Sequence, residues 1–231
     1  MTQARIALAL GFALLSAACS GSAASETDPG AVGAGGEAAS TLDRVPYAKS
    51  VESIVLGDAA GYNSDQLPDI VLGPPRGKGT AAGSLHVASL GLGGEIVLGF
   101  GQQIIADGPG PDFVVFENAF WPSDDPSQVF AELGEVSVSD DGETWHTFPC
   151  DRDGPGDGTF PGCAGWSPTL IYDAEELVPL DVSLTGGDAF DLADVGLKRA
   201  RFVKITDLRT LEASGINSGF DLDAVGVVNA L

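Results

Sequence analysis

Apolar residues in this chain come in short bursts, each closed by glycine, proline, aspartate or serine. Runs of Val, Ile, Leu and Phe bounded in this way read as β-strands. The pattern predicts strands at residues 53–56, 69–72, 85–90, 95–100, 112–116, 135–139, 144–148, 201–206 and 222–228. The clearest hairpin is the alternating stretch 136–145, VSVSDDGETW, where Asp141-Gly142 supplies the turn. No long segment sustains a helical period, and residues 174–177 could make one turn at most. Many short strands without a serious helix predict an all-β fold, a single antiparallel β-sandwich or jelly roll.

The N-terminus follows a different pattern. Residues 6–15 are continuously apolar, preceded by Arg5 and followed by small residues up to Cys19. A run of about ten residues fits the apolar core of a signal peptide and falls well short of the ~20 needed to span a bilayer. Leu15-Ser16-Ala17-Ala18-Cys19 resembles the bacterial lipobox, with Ser16 where that pattern usually has leucine. The expectation is a signal peptide over 1–18, acylation at Cys19 and a lipid anchor in the membrane; secretion with cleavage between Ala18 and Ala24 is the alternative. Ser20 is not an acidic retention signal, so the resemblance implies the outer membrane or cell surface. Residues 19–44, rich in Gly, Ser and Ala, lack the apolar surface to offset the entropy of ordering and predict a flexible tether. Residues 45–231 are then one domain.

Charge narrows the partners. The 231 residues carry 33 acidic and 11 basic side chains, a net charge of −22. Such a surface repels phosphate backbones, which excludes nucleic acid, and suits divalent cations. Two further cysteines, Cys150 and Cys163, close a Gly/Asp-rich loop and predict a disulfide formed outside the cytoplasm. That loop would contribute around 3 kcal/mol in the chain-entropy model. Its aspartates Asp151, Asp153 and Asp157 begin like a calcium loop but lack the closing bidentate glutamate, a weak metal signal.

Two acidic motifs are stronger. Phe190-Asp-Leu-Ala-Asp-Val-Gly-Leu197 is nearly repeated as Phe220-Asp-Leu-Asp-Ala-Val-Gly-Val227. In the second copy, strand alternation would put Asp221 and Asp223 on the face of Val225 and Val227. In the stretch from Asp112 to Phe116, alternation continues to place Glu117 in line with Phe113 and Val115. A carboxylate on an apolar face needs a cation. Glu117 is therefore a metal ligand or an ion-pair partner of Arg201 or Lys204. Asp221, Asp223, Glu117 and Asp112 form the candidate set, and calcium, which takes roughly six to eight oxygens, is the expected ion.

Catalytic motifs are missing from the sequence. There is no G-x-S-x-G, no H-E-x-x-H and no Walker-type loop. Residues 73–79, GPPRGKG, look faintly like a phosphate cradle, but the spacing is wrong and the prolines remove backbone donors. His86 and His146 fall within predicted strands, as packed or surface residues. Trp121 and Trp166 lie in predicted loops among carboxylates, where an indole face could stack on a sugar ring or cap the core.

Taken together, the stretches at 71–75, 89–100, 110–120, 136–145 and 219–225 resemble a family of poorly characterised bacterial cell-surface proteins. They are also similar to the galactose-binding-like jelly-roll class, which includes discoidin-type domains and carbohydrate-binding modules. The resemblance implies a structural calcium near the terminal strands, at Asp221 and Asp223, and ligand-bearing loops at one end. The resulting expectation is a monomeric, non-catalytic binding or adhesion module that contacts a surface glycan or protein. A lipid-anchored hydrolase acting on glycans and a purely structural envelope protein are the alternatives.

Overall fold

The computed structural model describes residues 46–172, 180–210 and 218–231. The signal peptide, Cys19, the tether and the possible turn at 174–177 lie outside the described residues. The described residues contain eleven strands: β1 (Ser50–Val55), β2 (Ala88–Ser89), β3 (Glu95–Gly99), β4 (Ile105–Ala106), β5 (Phe113–Glu117), β6 (Gly134–Ser139), β7 (His146–Thr147), β8 (Asp188–Phe190), β9 (Arg199–Ala200), β10 (Phe202–Asp207) and β11 (Asp221–Val227). One short helix, α1, spans Val182–Thr185.

Every ladder is antiparallel. A five-stranded sheet in the order β1-β3-β10-β6-β7 faces a four-stranded sheet in the order β2-β11-β5-β8, and β4 pairs with β9. Between them lie Ile96, Leu98, Val136, Val138, Val203 and Ile205 from the first sheet and Phe113, Val115, Leu222, Val225 and Val227 from the second. The chain is therefore an all-β sandwich.

The two sheets differ in how they are covered. β10 alternates half-buried and buried positions, as expected of a sheet with one wet face. β5 and β11 are buried at every position, because Tyr47 and Leu180 cover Val114, Phe116 and Ala224 on the outer side. That second cover explains the continuous run Phe-Val-Val-Phe in β5.

Two predicted features come out differently, and the near repeat takes two different forms. Residues 69–72 are not a strand; Asp69–Val71 is a 3-10 turn that buries Ile70 and Val71. His86 precedes β2 in irregular chain, whereas His146 does begin β7. The near repeat is not a structural repeat. In its first copy Asp191 caps a 3-10 turn over Leu192–Val195, accepting from the Ala193 amide at 2.9 Å, while the second copy is strand β11. The predicted hairpin is present as β6–β7, with Gly142 at φ +77° and the Asp141 carboxylate accepting from the amides of Glu143 and Thr144. Cys150 and Cys163 form the predicted disulfide.

Candidate metal centre and ligand clefts

The ends of β5 and β11 meet in register. Leu222 of β11 pairs with Glu117 of β5, and Asp221 pairs with Ser89 of β2, so Glu117 lies one position along from the Ser89–Asp221 pair at one end of the sheet. A third acid arrives from the opposite sheet. In the segment entering β6, Val129, Ala131 and Leu133 line an open cleft, while Glu132 between them turns inward. Carboxylate oxygens of Glu117, Glu132 and Asp221, one from each, lie within 4.8 Å of one another.

All three are buried, at 2%, 5% and 6% exposure, and none has an ion-pair partner among the described residues. Their hydrogen bonds account for only part of the available acceptor capacity. The Asp221 amide donates to Glu117 Oε1 at 3.3 Å, and the Gly219 amide to Glu132 Oε1 at 3.1 Å. Ser89 Oγ donates to Asp221 Oδ1, and Asn118 Nδ2 to Asp221 Oδ2 at 3.2 Å. Glu117 Oε2 is buried with no hydrogen-bond partner.

The electrostatic result is proton uptake in the metal-free chain. Burial, then repulsion from Asp221 and Glu132, pushes Glu117 well above the ordinary carboxylate range. Burial and the Asp221 charge push Glu132 up to about 8, and burial also raises Asp221. An orphaned acceptor among three buried carboxylates fits a cation. The all-oxygen donor set on irregular chain suits calcium better than a transition metal. Glu117, Glu132 and Asp221 are the residues that would hold it.

The other members of the predicted set lie elsewhere. Alternation was expected to align Asp221 and Asp223 with Val225, but the register between β11 and β5 shifts between Leu222 and Ala224. This bulge puts Leu222 into the core beside Val225. Asp223 instead accepts from the Arg76 amide at 2.8 Å, with His86 Nδ1 3.7 Å from its other oxygen. Asp112 is a loop staple. It accepts from the amides of Gly108 and Leu192, each at 2.8 Å, and from Asn229 Nδ2 at 2.9 Å. Asp107 and Asp191 are its acidic neighbours, not Glu117.

Glu117 is not paired with Arg201 or Lys204, because Asp140 takes Arg201 and Glu95 takes Lys204. Asp207, absent from the predicted set, is a second staple beside the cluster. Its carboxylate accepts from the amides of Gly93, Arg209 and Phe220. The sequence signal for Glu132 is that it is the lone acid inside the apolar run Val129-Phe-Ala-Glu-Leu133 that leads into β6.

Several clefts open among the described residues, and three are relevant to ligand binding. The first, about 640 Å³, is lined by Val129, Ala131 and Leu133, by Phe160, Arg152 and Asp153 of the disulfide loop, and by Arg209 and Thr210. Glu132 lies behind its wall. A second, about 300 Å³, has Arg76, Lys78 and His86 in its lining. A third, about 390 Å³, lies beside the disulfide loop, where Asp151 and Asp194 are exposed. Trp121 and Trp166 line none of the three. Both are half-buried, and the Trp166 indole N–H donates to the Cys163 carbonyl at 3.1 Å.

The class, an antiparallel β-sandwich, rests on the chain's own ladders and core. No family model matches the sequence, and no curated protein matches it. Among solved structures, the chain is similar to the C-terminal domain of a chitobiase from Bacteroides fragilis. The identity is 10%, covering 82% of this chain and 98% of that one, at a TM-score of 0.37. A likeness that loose carries no argument about function.

Proposed function

We propose that this chain is a non-catalytic binding module, lipid-tethered through Cys19 to the outside of a bacterial envelope, with a calcium-stiffened sandwich end and a cleft for glycan. The observation that carries the reading is the buried triad Glu117, Glu132 and Asp221. Three carboxylates packed against the core cannot face a substrate, but they can hold a structural ion. Glu132 ties that ion to the wall of the 640 Å³ cleft, so binding would fix Ala131 and Leu133 in place.

The cleft combines an aromatic face, Phe160, with Arg152, Asp153, Arg209 and Thr210. This is the mixture that lets a ring stack while its hydroxyls are hydrogen-bonded. Phe160 takes the part the sequence suggested for Trp121 and Trp166. The signal peptide pattern and the acylation motif support the envelope location, and the disulfide supports an oxidising compartment.

The test is a melt of the full chain in calcium and in chelator, followed by a glycan array with Phe160→Ala as control. A rise in Tm with calcium and array signals lost in Phe160→Ala are expected. No calcium shift would overturn the metal reading. A calcium shift with a blank array would leave a structural envelope protein, and hydrolysis of arrayed glycans would favour the hydrolase.

A further inference from the structure

The glycine-rich run at residues 73–79 has its own place in the fold. Arg76 bridges Tyr172, the Gly77 amide donates to the Ile171 carbonyl at 2.9 Å and the Gly79 amide to the Thr169 carbonyl at 3.0 Å. The segment is therefore an extended ribbon laid along residues 169–172. A Cβ at position 77 would lie 2.2 Å from the Thr169 carbonyl oxygen, so only glycine allows the approach. Residues two apart on an extended ribbon share a face. Arg76 and Lys78 both line the 300 Å³ recess, as does His86.

In a chain with three acids for every base, two cations in one recess are notable for where their partners are missing. Lys198, Arg199, Arg201, Lys204 and Arg209 each have a carboxylate within 4.0 Å. Among the described residues neither the Arg76 nor the Lys78 side chain has such a bridge, and the recess lining carries no carboxylate. Its acid, Asp223, is 1% exposed; one oxygen accepts from the Arg76 amide, which holds the base of the ribbon, and the Arg76 charge acts on the carboxylate from a distance without forming an ion pair. Asn63 donates to the Leu85 and Val87 carbonyls, and Gln66 gives one N–H to Asn63 Oδ1. The recess offers a ligand a guanidinium, an ammonium and an apolar rim. Leu85 is 67% and Tyr172 66% exposed.

We propose that this recess binds a small ring-bearing oxyanion, specifically the carboxylate of an acidic monosaccharide unit, with Arg76 and Lys78 on the anion and Tyr172 against the ring. A planar guanidinium suits a carboxylate bidentately, and an exposed phenol ring suits a sugar face. The volume is at the low end for ligand sites and admits one sugar ring rather than a chain. The surrounding net charge of −22 disfavours long polyanions while leaving the local pair effective at short range. The recess is a different place from the Phe160 cleft, so this inference goes beyond the proposed function.

The experiment is an NMR titration of the full chain, held in calcium, with galacturonic acid, galactose and inorganic phosphate. Galacturonate should shift the amides of Arg76, Lys78 and His86, bind at least tenfold more tightly than galactose, and weaken as salt rises. Arg76→Gln with Lys78→Gln should reduce binding at least tenfold, and Lys78→Gln alone should weaken it at unchanged Tm, since the Lys78 side chain has no ion pair to lose among the described residues. Equal affinity for galactose, shifts confined to Arg209 and Phe160, or full binding by the double variant would overturn the proposal. Phosphate binding as tightly as galacturonate would overturn its saccharide part.

Discussion

Glu117 and Asp221 stand on adjacent antiparallel strands, and the backbone amide of Asp221 donates to the Glu117 carboxylate at 3.3 Å. The same backbone that fixes one acid delivers the second beside it, so the two cannot move apart without breaking the ladder. Glu132 closes the triad from the opposite sheet. A sandwich would not place three buried acids together without compensation, since like charges in a low-dielectric site repel strongly. Either protons or a cation must neutralise them, and the two cases have opposite consequences for mutation and pH.

Glu117→Gln separates them. In chelator the substitution removes a buried, repelled carboxyl and should leave Tm unchanged or raise it by a few degrees. In millimolar calcium it removes a ligand, and the calcium-induced rise in Tm should fall by more than half. Glu132→Gln should behave in the same way. Thermal melts of both variants with and without calcium decide the matter; an unchanged calcium shift in Glu117→Gln removes it from the site.

The pH dependence of the metal-free chain follows from Glu132. Burial and the Asp221 charge raise its pKa from 4.5 to about 8. A carboxyl with a raised folded pKa holds its proton more tightly when folded. Its stabilising contribution is therefore fully present below about 4.5 and is lost as pH climbs through 8. Each unit of displacement corresponds to about 1.4 kcal/mol. Asp188, raised to about 7 by burial, acts in the same direction. In chelator, Tm should fall between pH 5 and pH 8. In calcium the trend should flatten or reverse, because protons and the ion compete for the same oxygens. Parallel curves in the two buffers would show that the ion binds elsewhere.

The sandwich was legible because strand periodicity and turn chemistry are local. The Asp141-Gly142 hairpin and the runs that became β3, β6 and β10 need only their neighbours to be read. β4, β8 and β9 were missed because they are two or three residues long and exist through long-range pairing, as Ile105 with Ala200 and Phe113 with Phe190. The site was half legible for a similar reason. Glu117 stood out because it continues an apolar face. The pairing of Asp221 with Asp223 failed on a single bulge, which exchanges faces within β11. Asp191 and Asp221 occupy matching letters of the near repeat, yet one caps a turn and the other faces Glu117.

Asp112 provides the contrasting case of a buried acid whose oxygens are already hydrogen-bonded, although Asp107 and Asp191 bring carboxylate oxygens within 4.8 Å of it. Its two oxygens accept from the Gly108 amide, the Leu192 amide and the Asn229 side chain, joining the loop before β5 to the turn after β8 and the chain end after β11. Hydrogen bonds to a charged acceptor contribute roughly 1.5–3 kcal/mol each, and truncating the acceptor leaves buried donors unsatisfied. Asp112→Ala should therefore cost about 3 kcal/mol or more, a fall of roughly 6–12 °C at 2–4 °C per kcal/mol for a domain of this size. The loss should be the same in calcium and in chelator, and the calcium affinity of the remaining folded protein should be unchanged. Calorimetric melts and a calcium titration on Asp112→Ala measure both quantities. A loss of calcium affinity comparable to that of Glu117→Gln would move Asp112 from staple to ligand.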